Sequence, residues 1–212
     1  MELRDVRLHS YWRSSCSWRV RIGLALKGVP YRYVPVNLLE GQQLADAYAE
    51  RSPLRQVPCL EWDGGRLTQS LAILRLLDAL EGPALTPADP LLGARAWELA
   101  EMVNAGIQPL QNLHVLQAID SFGQDRQAWG REVIARGFEA MEAIARRSAG
   151  RFCVGDAPSV ADLCLVPQLY NARRFGVNLE PFETLRRVEA ACEELPAFQA
   201  AHPDRQPDAP TS

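Results

Sequence analysis

Apolar and polar residues alternate over residues 6–11, which predicts a strand, and the spacing then becomes helical over 16–27, closed by Gly28. A second strand-like stretch covers 31–36 and a polar helical one 42–50. Pro58-Cys59-Leu60-Glu61-Trp62 and Arg66-Leu67 read as short strands joined by a hairpin turn at Asp63-Gly64-Gly65, and 70–80 reads as a helix. The order βαβαββα, with a Val57-Pro58 step before the third strand, describes a thioredoxin-like α/β domain over residues 1–82. Periodicity alone leaves another small α/β fold equally open.

Three prolines within residues 82–90 break the pattern, and 83–90 is read as an interdomain linker. Across 91–212 every periodic stretch is helical: 92–116, 129–148, 160–173, then shorter segments at 185–192 and 197–201. The second domain is therefore expected to be all α. Ser159-Val160-Ala161-Asp162 has the spacing of a capping box, in which hydroxyl and carboxylate satisfy the first turn of a helix. Residues 202–212 hold three prolines and few apolar side chains, which predicts a loosely held tail.

Composition removes several classes. The chain has 212 residues, 47% hydrophobic and 23% charged, with a net charge of −3 and no single-sign block, which argues against nucleic-acid and anionic-membrane partners. No apolar run approaches the roughly 20 residues that span a bilayer, and no signal-peptide core follows Met1-Glu2-Leu3-Arg4-Asp5, so the expected location is cytoplasmic. Cys16, Cys59, Cys153, Cys164 and Cys192 form no C-x-x-C pair and read as reduced thiols. His9, His114 and His202 are too scattered for a ligand pair, so no metal site is expected.

Ser14-Ser15-Cys16-Ser17-Trp18-Arg19-Val20-Arg21-Ile22 places small polar side chains where a strand hands over to a helix. The first N–H groups of a helix lack intrahelical partners and sit at the positive end of its dipole, so such a junction favours a thiolate or another small anion. The same run serves equally well as a serine-rich N-cap.

Together with Leu24-Ala25-Leu26-Lys27-Gly28, this run resembles the signature of the zeta-class glutathione transferases, with Gly23 where an alanine is usual. A glycine there costs about 1 kcal/mol of helix stability. The resemblance continues through Gln56-Val57-Pro58, Gln69-Ser70-Leu71-Ala72-Ile73, residues 106–113, Val154-Gly155-Asp156, residues 161–168 and Arg205-Gln206-Pro207-Asp208, and so covers essentially the whole chain.

The resemblance implies the two-domain transferase architecture, a homodimer, glutathione as cofactor and a small-molecule substrate. It also implies an activity: isomerisation of maleylacetoacetate to fumarylacetoacetate in tyrosine and phenylalanine breakdown, by reversible thiolate addition. On the class pattern, Ser14 is the hydroxyl donor to the glutathione sulfur, with Ser15 and Cys16 as further catalytic candidates at the same junction. Ser17, Gln43, Val57, Gln69 and Ser70 are the other glutathione contacts of the first domain, and Gln108, Asn112, Leu113 and His114 those of the second. Gln108 and Asn112, four apart, are expected on one helical face. Arg13 and Arg174 are the cations for the substrate's carboxylates.

Some alternatives stay open. Cys16 at a helix start is itself a possible nucleophile. Arg19 and Arg21 read as structural, with only one able to face a ligand, and Trp12, Trp18, Trp62 and Trp97 read as core. Isomerisation of maleylpyruvate is a close alternative, disfavoured by the neutral Gln108 and Leu113. General glutathione transfer, or dehalogenation of α-haloacids, is a wider one. A non-catalytic scaffold is opposed by the retention of Ser14 and the Gln69-Ser70 pair.

Overall fold

Leu8 and Leu60 lie opposite each other, both fully buried, at the centre of a four-stranded mixed sheet. The strands are β1 (Arg7–Ser10), β2 (Arg32–Pro35), β3 (Cys59–Trp62) and β4 (Gly65–Thr68), in the spatial order β2-β1-β3-β4. β1 is parallel to β2 and antiparallel to β3, and β3 and β4 form the hairpin, with Trp62 opposite Gly65 and Gly64 at φ +93° in the turn. The parallel pair needs a crossover, supplied by α1 (Ser15–Leu26). α1 stops because Gly28, at φ +63°, allows a Schellman closure: its N–H donates to Ala25 O at 3.2 Å, and Val29 N–H to Leu24 O at 3.0 Å. The computed structural model describes residues 3–210 and divides into two units, one formed by the residues up to Leu85 together with those from Leu195 on, the other by Thr86–Glu194.

In the first unit α3 (Ser70–Asp78) packs against α1, burying Val20, Ile22 and Leu24 with Ile73, Leu74 and Leu77. Each such side chain contributes about 2 kcal/mol through burial. The Lys27 ammonium closes the C-terminal end of α3 by donating to the carbonyls of Asp78, Leu80 and Pro83. The polar helix expected over 42–50 is instead a 3-10 turn, Gln42–Leu44, followed by the single-turn α2 (Asp46–Ala49), with Ala45 extended between them. Few apolar residues punctuate this stretch, so packing does not enforce a continuous helix.

Among its described residues the second unit is built of helices, α4 (Pro90–Glu101), α5 (Leu113–Ser121), α6 (Arg126–Ser148), α7 (Val160–Arg174) and α8 (Glu183–Glu193), with one isolated β-bridge between Ala149 and Gly155. α7 is buried along almost its whole length, with Leu163, Cys164, Leu165 and Leu169 at zero exposure, and forms the centre of the unit. Its start is the expected capping box: Asp162 accepts from Ser159 N–H at 2.7 Å and the Ser159 hydroxyl at 2.9 Å. The single helix read over 92–116 is broken. α4 runs into a π-helical turn, Met102–Ile107, then a 3-10 turn, Gln108–Gln111, and an extended Asn112 before α5. Pro109 lacks the N–H that a continuous helix would need there.

The division falls after Leu85, three residues beyond the boundary expected at Gly82, because Leu85 is buried and its N–H donates to the Asp78 side chain at 2.7 Å. The loose tail is also corrected. α9 (Pro196–Ala201) packs on α1, Gln206 ties the turn that follows to the end of α9 by donating to Ala200 O and His202 O, and Asp208 reaches Trp12 N–H and the Tyr33 hydroxyl. Low apolar content does not loosen these residues, because hydrogen bonds from Gln206 and Asp208 hold them rather than a core of their own. The last two residues of the expected tail lie outside the described ones.

Candidate functional site

The β1–α1 junction carries the first group of candidate residues in the first unit. Ser14 is the N-cap of α1, and its Oγ accepts from Ser17 N–H at 3.2 Å. A hydroxyl whose oxygen accepts a helix N–H keeps its own proton for a second acceptor, so one group can both cap the helix and donate to an anion. Ser15 is buried in the first turn, and Cys16 is half-buried. Cys16 is also the one thiol of the five that is not buried; burial pushes Cys59 up to about 11 and drives Cys153 and Cys192 higher still. Ser17 is fully buried in the first turn of α1: its N–H donates to Ser14 Oγ, and its own Oγ has no hydrogen-bond partner among the described residues.

Arg13 precedes the cap with its guanidinium 5.3 Å from the centre of the Trp12 ring. A cavity of about 460 Å³ opens beside this turn, bordered by Trp12, Arg13, Asn37, Gln42 and Asp208. Gln43, in the neighbouring 3-10 turn, is buried with its Oε1 lacking a hydrogen-bond partner, an acceptor that an incoming N–H donor suits.

Val57 precedes Pro58 through a cis peptide bond, two residues before β3. The approach to it is fixed by the Tyr48 hydroxyl and Ser52 hydroxyl, which donate to Gln56 O at 2.9 and 2.8 Å. Gln69 and Ser70 open α3. Gln69 is exposed yet takes φ +70° and ψ 113°, a conformation side-chain-bearing residues rarely adopt. Ser70 is buried, and its Oγ accepts from Arg19 Nη1 at 3.2 Å, which leaves the serine proton for an acceptor at the helix start.

Arg19, expected to be structural, is a buried guanidinium that donates to the Ser70 hydroxyl. The signal was available: two arginines among the apolar positions of α1 must find buried partners. Arg21 is the structural one of the pair, donating to Ser10 Oγ and to the carbonyls of Trp12 and Ala201.

In the second unit Gln108 begins the 3-10 turn, Asn112 caps α5 from an extended conformation, Leu113 is half-buried and His114 is exposed. Gln108 and Asn112 therefore do not share a face of one α-helix, contrary to the expectation from their spacing. The turn is held by Trp129 Nε1–H donating to Leu110 O at 2.8 Å, and by Gln111 donating to Gln168 inside the unit. At the end of α7 Arg173 makes a two-fold ion pair with Glu189, while Arg174 is exposed and donates to Asn171 Oδ1 at 3.3 Å. Among the described residues no group of three or more His, Cys, Asp or Glu is placed to hold a metal ion.

A thioredoxin-like unit with a serine-capped helix start, joined in sequence to an all-helical unit, defines the class: the chain belongs to the glutathione S-transferase family. Residues 13–80 match the model of the glutathione S-transferase N-terminal domain, and residues 114–202 that of the C-terminal domain. Within the family it belongs to the zeta class. Rat maleylacetoacetate isomerase is 48% identical over 207 residues, 96% of this chain and 94% of the rat protein. A crystal structure of maleylacetoacetate isomerase from Anaeromyxobacter dehalogenans 2CP-1 with glutathione in its active site is 53% identical at a TM-score of 0.90, covering 99% of this chain and 100% of that one. The holo structure of a bacterial zeta-class maleylpyruvate isomerase is 42% identical at a TM-score of 0.93, covering 96% and 100%.

Proposed function

We propose that this chain is a glutathione-dependent isomerase that converts maleylacetoacetate to fumarylacetoacetate, a step of tyrosine and phenylalanine breakdown. The observation that carries the proposal is the Ser14 hydroxyl, held by Ser17 N–H with its own proton available at the start of α1, in a chain 53% identical to an isomerase with glutathione in its active site. The residues present fit that cofactor: the unpartnered Gln43 amide oxygen, the polarised Ser70 hydroxyl and the open N–H groups at the starts of α1 and α3.

Bound glutathione supplies a thiolate that adds to the cis double bond, lets it rotate as a single bond, and departs to leave the trans isomer. Ser14 would donate a hydrogen bond from its hydroxyl to the thiolate, and the α1 dipole favours the negative sulfur. Cys16 lines the junction without taking the substrate bond. Gln69 and Ser70, with the α3 N–H groups, receive the γ-glutamyl carboxylate, Val57 offers its backbone to the extended tripeptide, and Gln43 meets the glycyl end. Gln108, Asn112, Leu113 and His114 contribute from the second unit. Arg13 and Arg174 orient the substrate carboxylates and stabilise the enolate charge that develops on addition.

The test is turnover of maleylacetoacetate by the purified chain, with glutathione measured in parallel. Conversion that requires glutathione but leaves its concentration unchanged supports the proposal; stoichiometric consumption, or no conversion, overturns it. Isomerisation of maleylpyruvate is a second reading, favoured by the likeness to the zeta-class maleylpyruvate isomerase. A larger kcat/KM for that substrate would reassign the enzyme. The proposal extends to a cytoplasmic homodimer, for which sedimentation of the purified chain is the check.

A further inference from the structure

We propose that Asp208, supported by Tyr33, is a positioning residue: the C-terminal segment holds the turn that leads from β1 into Ser14. Asp208 Oδ2 accepts from Trp12 N–H at 3.0 Å, and its Oδ1 accepts from the Tyr33 hydroxyl at 2.6 Å. The Trp12 carbonyl is fixed from the other side by Arg21 Nη2 at 2.9 Å, and Arg21 Nε donates to Ala201 O at 3.1 Å, so α9 and α1 share one guanidinium. Tyr11 O accepts from Arg21 at 3.5 Å and also from Ser14 N–H at 3.0 Å. Residues 11–14 belong to no helix or strand, and their backbone is held at Tyr11, Trp12 and Ser14 by these bonds.

The segment that carries Asp208 is anchored in turn. Gln206 Nε2 donates to Ala200 O at 3.1 Å and His202 O at 2.8 Å, locking residues 206–208 to the end of α9. Burial lowers the Arg21 pKa to about 10, against the pull of Tyr33, Tyr31 and Asp208, so the guanidinium stays charged at neutral pH. Asp208 sets where the cap, and hence the thiol-facing hydroxyl, stands.

The inference rests on the proposed role of Ser14. Its test uses the full chain carrying Asp208→Ala, Asp208→Asn, Tyr33→Phe, or Asp204→Ala, the last an exposed acid nearby that serves as control. Two quantities are measured: the ultraviolet absorbance of the thiolate of bound glutathione against pH, and deuterium uptake of peptides covering residues 11–17. In Asp208→Ala the thiolate midpoint rises by about one pH unit, about tenfold less thiolate below the midpoint, and uptake over 11–17 increases. Asp208→Asn, which keeps one acceptor oxygen, recovers part of both effects, and Asp204→Ala changes neither. A folded Asp208→Ala that matches wild type in both quantities overturns the proposal. If Asp208→Ala fails to fold, Tyr33→Phe decides, and an unchanged midpoint with unchanged uptake overturns it. Absence of any thiolate signal in the wild-type chain counts against the isomerase reading instead, and the exchange measurement alone then decides whether Asp208 holds the turn.

Discussion

Replacing Ser14 by alanine removes one oxygen with two separable effects. As the N-cap of α1 it accepts from Ser17 N–H at 3.2 Å, and losing such a cap costs about 1 kcal/mol. For a chain of 212 residues that unfolds as one cooperative body, that lowers Tm by about 2–4 °C. As donor to a thiolate, the same hydroxyl contributes about 1.5–3 kcal/mol to the ionised form, so kcat/KM for glutathione falls about 10- to 150-fold. Ser14→Gly separates the two effects, because glycine caps a helix within a few tenths of a kcal/mol of serine but carries no hydroxyl. Its activity should fall as in Ser14→Ala while its Tm stays near wild type. Cys16→Ala should keep most of the activity. Steady-state isomerase kinetics at varied glutathione, with calorimetry on each variant, make the comparison. Ser14→Ala within twofold of wild type, beside an inactive Cys16→Ala, would refute the assignment and make Cys16 the nucleophile.

Glu142, from α6, accepts Thr184 N–H at 3.0 Å, Leu185 N–H at 3.1 Å and Arg146 Nε at 2.9 Å, and so caps the start of α8. Burial pushes its carboxyl up, but these bonds together outweigh it and hold the pKa below the ordinary 4.5. Its contribution is therefore complete above the unfolded value and is lost as pH falls through the folded one, so Glu142→Gln should cost about 1–3 kcal/mol at neutral pH and flatten the acid side of the stability profile in urea unfolding. Asp162 accepts from Cys153 N–H at 2.8 Å, Ser159 N–H at 2.7 Å and the Ser159 hydroxyl at 2.9 Å. Asp162→Asn turns an amide NH2 toward at least one of these donors and should cost about 1–3 kcal/mol, read as a thermal-melt shift.

Elements whose cause is local were legible in the sequence. The hairpin at Asp63-Gly64, the stop at Gly28 and the capping box at Ser159 each depend on residues within a few positions, and each formed as read. Elements decided by distant partners were not. The path of residues 202–210 depends on Asp208 meeting a backbone N–H 196 residues away, for which local composition holds no signal. The break at residues 102–112 reflects Pro109 overriding a helical period that runs through it. In the site the same division holds. Ser14, Gln69 and Ser70 stand at helix starts, where their neighbours announce them, whereas the role of Arg19 appears only once α1 and α3 pack and its guanidinium reaches the Ser70 hydroxyl.

Gln69 offers the sharpest separation of folding from function. The residue is exposed, so nothing in the core demands its side chain, yet it stands at φ +70° and ψ 113°. Holding a side-chain-bearing residue in such a conformation costs about 1–3 kcal/mol. Gln69→Gly removes that strain but adds about 0.5–1 kcal/mol of unfolded-chain entropy. The net expectation is a gain of up to about 2 kcal/mol, a rise in Tm of a few degrees. If the amide contacts glutathione, its removal weakens binding by about 1 kcal/mol, roughly fivefold in Kd. A more stable protein that binds its cofactor less well is what strain retained for a ligand produces. Calorimetry and a glutathione titration on one sample measure both. A fall in Tm would show that the backbone there is unstrained, and an unchanged Kd would remove the Gln69 side chain from the site while leaving Ser70 and the α3 N–H groups to hold the carboxylate.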